Sequence, residues 1–186
     1  RTSLRNIMRS RFTLTRSMAL CLALIGPAMA AVIPPGTQLH ATQTMVRSNG
    51  SEPESMDPAV AETVPANQIL RDLFEGLTAT TTEGKVVPGV AESWKQTNPT
   101  TWVFKLRANA KFSNGAPITA DDFVYSFRRF VDPKTASPYA ATFGVFLLNG
   151  LEVAQGKKPT SELGVKALDK STLEIKTQDP VAFMLE

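Results

Sequence analysis

Few residues in this 186-residue chain could carry covalent chemistry, and none is spaced for it. His40 is the only histidine and Cys21 the only cysteine. A catalytic triad needs a histidine between a nucleophile and an acid, and a nitrogen- or sulfur-rich zinc site needs several such ligands. One histidine supplies neither, so His40 reads as a surface residue of an N-terminal arm. No Gly-x-Ser-x-Gly elbow is present. Gly156-Lys157-Lys158 lacks the glycine loop and the hydroxyl of a phosphate cradle. Asp121-Asp122 is the most suggestive carboxylate pair. Neighbours on a helix point in different directions, and a first turn favours negative charge for the helix dipole alone. Glu52 and Glu54 lie around a turn and read as solvated. The pattern points to binding rather than catalysis, with no cofactor and no metal.

The first thirty residues stand apart from the rest. Arg9, Arg11 and Arg16 follow Met8, and no acidic residue precedes Ala31. A short apolar run, residues 18–25, then ends at Gly26-Pro27 and is followed by Ala28-Met29-Ala30. A basic start, a greasy core, a breaker and small-x-small residues are the parts of a secretory signal peptide. A spanning helix needs about 20 apolar residues, so a membrane anchor is disfavoured. Residues 1–30 are expected to be a cleaved signal, cut between Ala30 and Ala31. Cys21 would leave with it, and Leu20 before it is not the small residue that lipid attachment requires.

Cleavage reverses the charge. The chain carries 20 basic and 17 acidic residues, and five of the arginines precede Ala31. The remainder has 15 basic residues against 17 acidic, a net charge of −2. Its cations are scattered, without the clustered footprint of a nucleic-acid binder.

The elements that would position any site alternate between strands and helices. Residues 43–48 read as a first strand, ending at the turn Asn49-Gly50-Ser51. That triplet also matches a glycosylation acceptor, the weaker reading. Ser55-Met56-Asp57-Pro58 reads as a loop. Pro65 opens a helix whose Ile69, Leu70, Leu73 and Phe74 share one face, with Gly76 as its stop. Trp102, Phe104 and Leu106 alternate with Lys105 and Arg107, the mark of a half-buried strand. Ser113-Asn114-Gly115 supplies a tight turn. Thr119 and Asp122 form the start of a second helix, with the Thr119 hydroxyl able to accept from the Asp122 amide. Its stripe is Phe123, Val124, Phe127, Phe130 and Val131. Residues 165–167 and 173–175 frame an Asp169-Lys170 hairpin turn. The fold class is α/β, in the mixed α+β sense. The sequence stops on an apolar stretch, residues 179–186, which reads as an element interrupted.

Three stretches are more specific than any of this. They are Arg71-Asp72-Leu73-Phe74-Glu75-Gly76-Leu77, then Pro88-Gly89-Val90-Ala91-Glu92-Ser93-Trp94. The third runs from Trp102 through Ala110-Lys111-Phe112-Ser113-Asn114-Gly115 to Pro117-Ile118-Thr119-Ala120-Asp121-Asp122-Phe123-Val124-Tyr125-Ser126. Their order and spacing resemble the extracytoplasmic solute-binding proteins of peptide ABC transporters, in the oligopeptide- and murein-peptide-binding branch. Residues 132–139 and 163–167 extend the likeness. Phe112 and Asn114 stand where relatives often carry Trp and Asp, and read as conservative core and turn changes.

The resemblance implies a periplasmic-binding-protein-like clamshell. On that basis residues 31–74 begin the first lobe, residues 75–186 make an inserted subdomain, and the second lobe is missing. It implies a monomeric periplasmic receptor that captures short peptides and hands them to an inner-membrane ABC permease. A cousin's ligand, such as murein tripeptide, a dipeptide, haem or nickel, is the alternative. A cell-wall peptide enzyme and a structural or adhesive module are further ones. Lacking a lobe, a 186-residue fragment should bind peptide weakly and expose apolar surface. Three positions match the family's ligand contacts. Glu62 and Val64 resemble a segment whose backbone pairs with the peptide, and Tyr139 resembles a tyrosine that touches it. Taken as residues alone, Glu62 reads equally as a surface carboxylate, Val64 as a core residue before Pro65, and Tyr139 as a packed ring.

Overall fold

Strand β4 (Thr101–Leu106) organises the molecule, because its alternation lets it bury one face on each side of a central position. Phe104 and Leu106 are both 2% exposed, while Lys105 between them faces solvent. β4 pairs antiparallel with β3 (Ala91–Asn98) on one side and β6 (Thr172–Lys176) on the other. β6 in turn pairs with β5 (Val165–Asp169), giving a four-stranded antiparallel sheet in the order β3-β4-β6-β5. The hairpin read at Asp169-Lys170 is therefore present, with the Asp169 carboxylate accepting from the Ser171 amide at 2.7 Å. A separate two-stranded ribbon is formed by β1 (Thr78–Thr80) and β2 (Val86–Pro88). All strand pairs are antiparallel, so of the two mixed classes the α+β form describes these residues.

The structure is a computed structural model that describes residues 36–38, 41–42 and 44–185. The expected signal peptide with its cleavage point, His40 and Gln43 lie outside the described residues. Two compact units are distinguished, residues 1–47 and residues 48–186. In the first, residues 44–47 form no strand, and Met45 and Val46 are 82% and 93% exposed. The expectation of a strand across 43–48 is thus not met for its described part. A strand exists only by pairing, and no partner strand lies beside these residues among those described.

Within the second unit, α1 (Val64–Leu73), α2 (Ala120–Val131), α3 (Ala140–Gly144) and α4 (Gly150–Ala154) are the α-helices. Thr119 and Asp122 form the expected capping box. The Asp122 carboxylate accepts from the Thr119 amide at 2.7 Å and from its hydroxyl at 2.8 Å. The helix start is tied to the β5–β6 turn by the Ala120 amide, which donates to the Lys170 carbonyl. α2 packs across β5 and β6, and its Val124 and Val131 enter the same core as Phe104, Leu173 and Ile175. Phe123, Phe127 and Phe130 of the expected stripe are only half-buried. α1 departs further. Leu70 and Ala66 are buried with Ala61 in a small separate cluster, but Leu73 is 65% and Phe74 58% exposed. No described element covers that end of its apolar face.

The expected turns form where predicted. Gly115 adopts φ +87°, and the Asn114 side chain accepts from the Ala116 amide. Phe112, read as a core substitution, is instead 45% exposed beside that turn. Gly89 shows why the Pro88-Gly89-Val90 motif needs its glycine. A Cβ there would lie 2.5 Å from the Gly76 carbonyl oxygen, because two chain segments touch backbone to backbone.

Candidate ligand-binding site

The segment leading into α1 has no regular structure between Ser48 and Thr63, yet polar side chains hold it at three points. Asn49 turns the chain, with Gly50 at φ +81°, and its Nδ2 donates to the Pro65 carbonyl at 3.1 Å. That contact places Asn49 in a structural turn, against the glycosylation reading. Asp57 accepts from the Ala59 amide at 3.0 Å and from both terminal nitrogens of Arg129 on α2, one of them at 2.8 Å. The Arg129 hydrogen bonds, helped by the Ala59 amide, lower the Asp57 pKa to about 2.

Glu54 makes the third attachment. Its carboxylate accepts from the Glu62 amide at 2.5 Å, the Thr63 amide at 2.9 Å and the Thr63 hydroxyl. The Thr63 hydroxyl and amide lead the causes that lower its pKa to about 2. Glu54 is exposed, as expected, but it is not merely solvated. Thr63 is extended, at φ −86° and ψ 156°, and its carbonyl accepts from the Asn67 amide and side chain.

Glu62 and Val64 flank this fixed residue. Both are exposed, Val64 at 68%, which removes the reading of Val64 as core. Among the described residues, the Glu62 carbonyl and the Val64 amide have no hydrogen-bond partner. Glu54 takes the amides of both Glu62 and Thr63, Asn67 takes the Thr63 carbonyl, and Val64 is the first residue of α1, whose amide has no intrahelical partner. The result is a short open edge.

Tyr139 precedes α3 and is 37% exposed. Its ring lies 5.8 Å from that of Phe143, which lies 6.3 Å from Phe130 of α2. Tyr139 is thus a packed ring that still shows a face to solvent. No described contact joins it to the 62–64 edge. Nor does any of the three residues line a groove of about 730 Å³ whose wall includes Asp57, Phe74, Phe123, Tyr125, Phe127 and Phe143. Phe143 nevertheless connects Tyr139 to that groove, and Asp57 connects the 48–63 segment to it. A second ion pair, Glu75 with Arg107 at 2.5 Å, ties the end of α1 to the end of β4. Arg107 lowers the Glu75 pKa through that hydrogen bond.

Sequence reasoning missed Glu54, Asp57 and Arg129. Asp57 carried a signal, since Ser55-x-Asp57-Pro58 suits a side chain that accepts from its own following backbone. The partner Arg129, 72 residues away, carried none.

Residues 85–186 match the family described as bacterial extracellular solute-binding proteins, family 5 Middle. The periplasmic oligopeptide-binding protein OppA of Escherichia coli (strain K12) is 50% identical over 157 residues, which is 84% of this chain and 29% of that protein. The periplasmic murein peptide-binding protein MppA of the same strain is 44% identical over 168 residues, 90% of this chain and 31% of that protein. Among solved structures, Haemophilus influenzae OppA in complex with RPPGFSPFR superposes with a TM-score of 0.74 at 44% identity. That match covers 78% of this chain and 29% of the OppA chain. The murein tripeptide binding protein MppA of Escherichia coli superposes at 0.68, with 46% identity over 71% of this chain and 26% of that one. The chain spans less than a third of the length of these relatives. With the capped helix, the antiparallel sheet and the motif order all in place, this chain belongs to the bacterial extracellular solute-binding proteins of family 5.

Proposed function

We propose that this chain is part of a periplasmic receptor that captures short peptides and delivers them to an inner-membrane ABC permease. The observation that carries the reading is the likeness, at 44% identity and a TM-score of 0.74, to an OppA structure in complex with a peptide. The unpaired Glu62 carbonyl and Val64 amide support it, since an extended peptide can bind such groups through its own main-chain hydrogen bonds. Tyr139 would contribute a half-exposed ring to the bound peptide. In this reading residues 31–74 begin the first lobe and residues 75–186 form its inserted subdomain. The receptor makes and breaks no covalent bond; lobe closure and opening govern capture and release.

The test is calorimetry on the full-length protein from which this chain derives, with RPPGFSPFR and its fragments of two to five residues as probes. Saturable binding of at least one is expected. A flat titration with all of them would overturn the reading. Murein tripeptide is the second ligand to titrate, because MppA is 44% identical over 90% of this chain. Binding of that tripeptide alone would move the receptor to the murein-peptide branch.

A further inference from the structure

We infer that Glu54 is a positioning residue for the ligand edge, one that holds the Glu62–Thr63 backbone at the entry to α1 fixed and open before any peptide arrives. The inference rests on the peptide-receptor reading and adds to it a residue that does not itself touch the ligand.

Thr63 is the N-cap of α1, and an N-cap threonine ordinarily turns its hydroxyl toward the helix to accept from an amide of the first turn. Here no such capping bond is made. The hydroxyl donates to Glu54 instead, and the Thr63 and Glu62 amides donate to the same carboxylate. One acidic side chain thereby gathers three donors from two adjacent residues. On the other side, the Thr63 carbonyl is held by Asn67 through both its amide, at 3.0 Å, and its side chain, at 2.9 Å. Thr63 is consequently fixed at both ends in an extended conformation.

Fixing Thr63 and the Glu62 amide leaves two main-chain groups of the segment unoccupied, the Glu62 carbonyl and the Val64 amide. The Val64 amide is one of the donors that the start of α1 leaves without an intrahelical partner, and with the Glu62 carbonyl it offers a donor and an acceptor to the main chain of a peptide. Without Glu54, the segment would have to be ordered when the peptide binds, and that ordering would be subtracted from the affinity. With it, the edge is preorganised. The anchor is local, since Glu54 reaches forward only to residues 62 and 63 and is itself exposed. Its removal should therefore loosen the edge without opening the core.

Losing the anchor also releases the Thr63 hydroxyl to cap α1, which offsets part of any loss of helix stability. Binding and stability should therefore respond separately, and this separation distinguishes a positioning role from a purely structural one. The experiment uses the full-length protein with Glu54→Ala, Glu54→Gln and, as a control in the same loop, Glu52→Ala. Three quantities are read: the Kd for RPPGFSPFR, the thermal midpoint, and amide hydrogen exchange at Glu62 and Thr63. Glu54→Ala should weaken binding roughly tenfold, in line with losing charge-assisted hydrogen bonds that order a loop. It should also speed exchange at both amides and leave the thermal midpoint nearly unchanged. Glu54→Gln, which keeps an acceptor oxygen, should recover much of the affinity, and Glu52→Ala should match wild type. Wild-type binding with an unchanged Kd in Glu54→Ala would overturn this inference and leave the receptor reading intact. A parallel fall in affinity and thermal midpoint, unrelieved in Glu54→Gln, would reduce Glu54 to a fold-stability role and also overturn it. A wild-type protein that binds no peptide would overturn both.

Discussion

Replacing Asp57 by Asn removes the charge that pins the loop before α1 to α2, and the structure sets both the size and the pH dependence of the loss. The Asp57 carboxylate meets Arg129 in a two-pronged contact, and the paired side chains are 33% and 38% exposed. Its pKa falls from an ordinary 3.8 to about 2. Taken at face value, that difference corresponds to roughly 2.4 kcal/mol of stability at neutral pH. A pair this accessible is screened by water and salt, so about 1 kcal/mol is the realistic figure. The sign follows from the lowered pKa. The contribution is complete above the unfolded value of 3.8 and fades as pH falls through about 2. Urea unfolding followed by the fluorescence of Trp94 and Trp102, both on the sheet, measures it directly. At pH 7 the midpoint of Asp57→Asn should fall by roughly 0.3–1 M relative to wild type, for a typical slope of 1–3 kcal/mol per molar urea. The gap should narrow between pH 4 and pH 2. Glu54 titrates in the same window, but it is common to both proteins and cancels in the difference. Arg129→Gln should match the loss, and the double variant should lose no more than either single one. A gap of undiminished size at pH 2, or additive losses in the double variant, would refute the assignment to this ion pair.

Three further outcomes are expected. Phe104→Ala, at the centre of the sheet and 2% exposed, should cost about 3–5 kcal/mol in urea unfolding; Phe112→Ala, 45% exposed, should cost about 0.5 kcal/mol or less. Gly89→Ala must push its Cβ away from the Gly76 carbonyl oxygen 2.5 Å off, and a thermal midpoint lowered by an amount equivalent to about 1–3 kcal/mol should follow. On the proposed function, Tyr139→Ala in the full-length protein should weaken peptide binding by a few-fold to roughly tenfold, the range of one aromatic contact. Calorimetry checks it, and Tyr139→Phe separates the ring from its hydroxyl.

What the sequence makes legible is what depends on local periodicity. The alternation of Trp102, Phe104 and Leu106 specifies β4, and the spacing of Val124 and Val131 specifies the buried side of α2, because both patterns describe burial against a neighbour present in the same chain. β3 shows the limit. Only Ala91 is buried along its eight residues, so a polar edge strand has no alternation to read and is visible only through its pairing with β4. Residues 44–48 show the converse, since strand-like residues without a described partner stay irregular. The helices α3 and α4, at five residues each, are too short for a 3.6-residue period to register.

The site divides along the same line. Glu62, Val64 and Tyr139 are proposed as contacts through resemblance alone, since nothing in their local pattern sets a ligand contact apart from a surface or packed residue. The groups that fix the edge are harder still to see. Glu54 acts across eight and nine residues of irregular chain, and Asp57 acts across 72. No periodicity couples such positions, and a carboxylate in a loop ordinarily reads as solvated. Yet these two side chains, with Asn49, give the 48–63 segment its shape, because it buries only Ala61 and cannot be ordered by apolar packing. An edge ordered by hydrogen bonds to exposed carboxylates keeps its backbone accessible, whereas one ordered by burial would be covered by the groups that hold it. On the proposed function, in which this segment offers main-chain groups to a peptide, polar anchoring keeps those groups accessible.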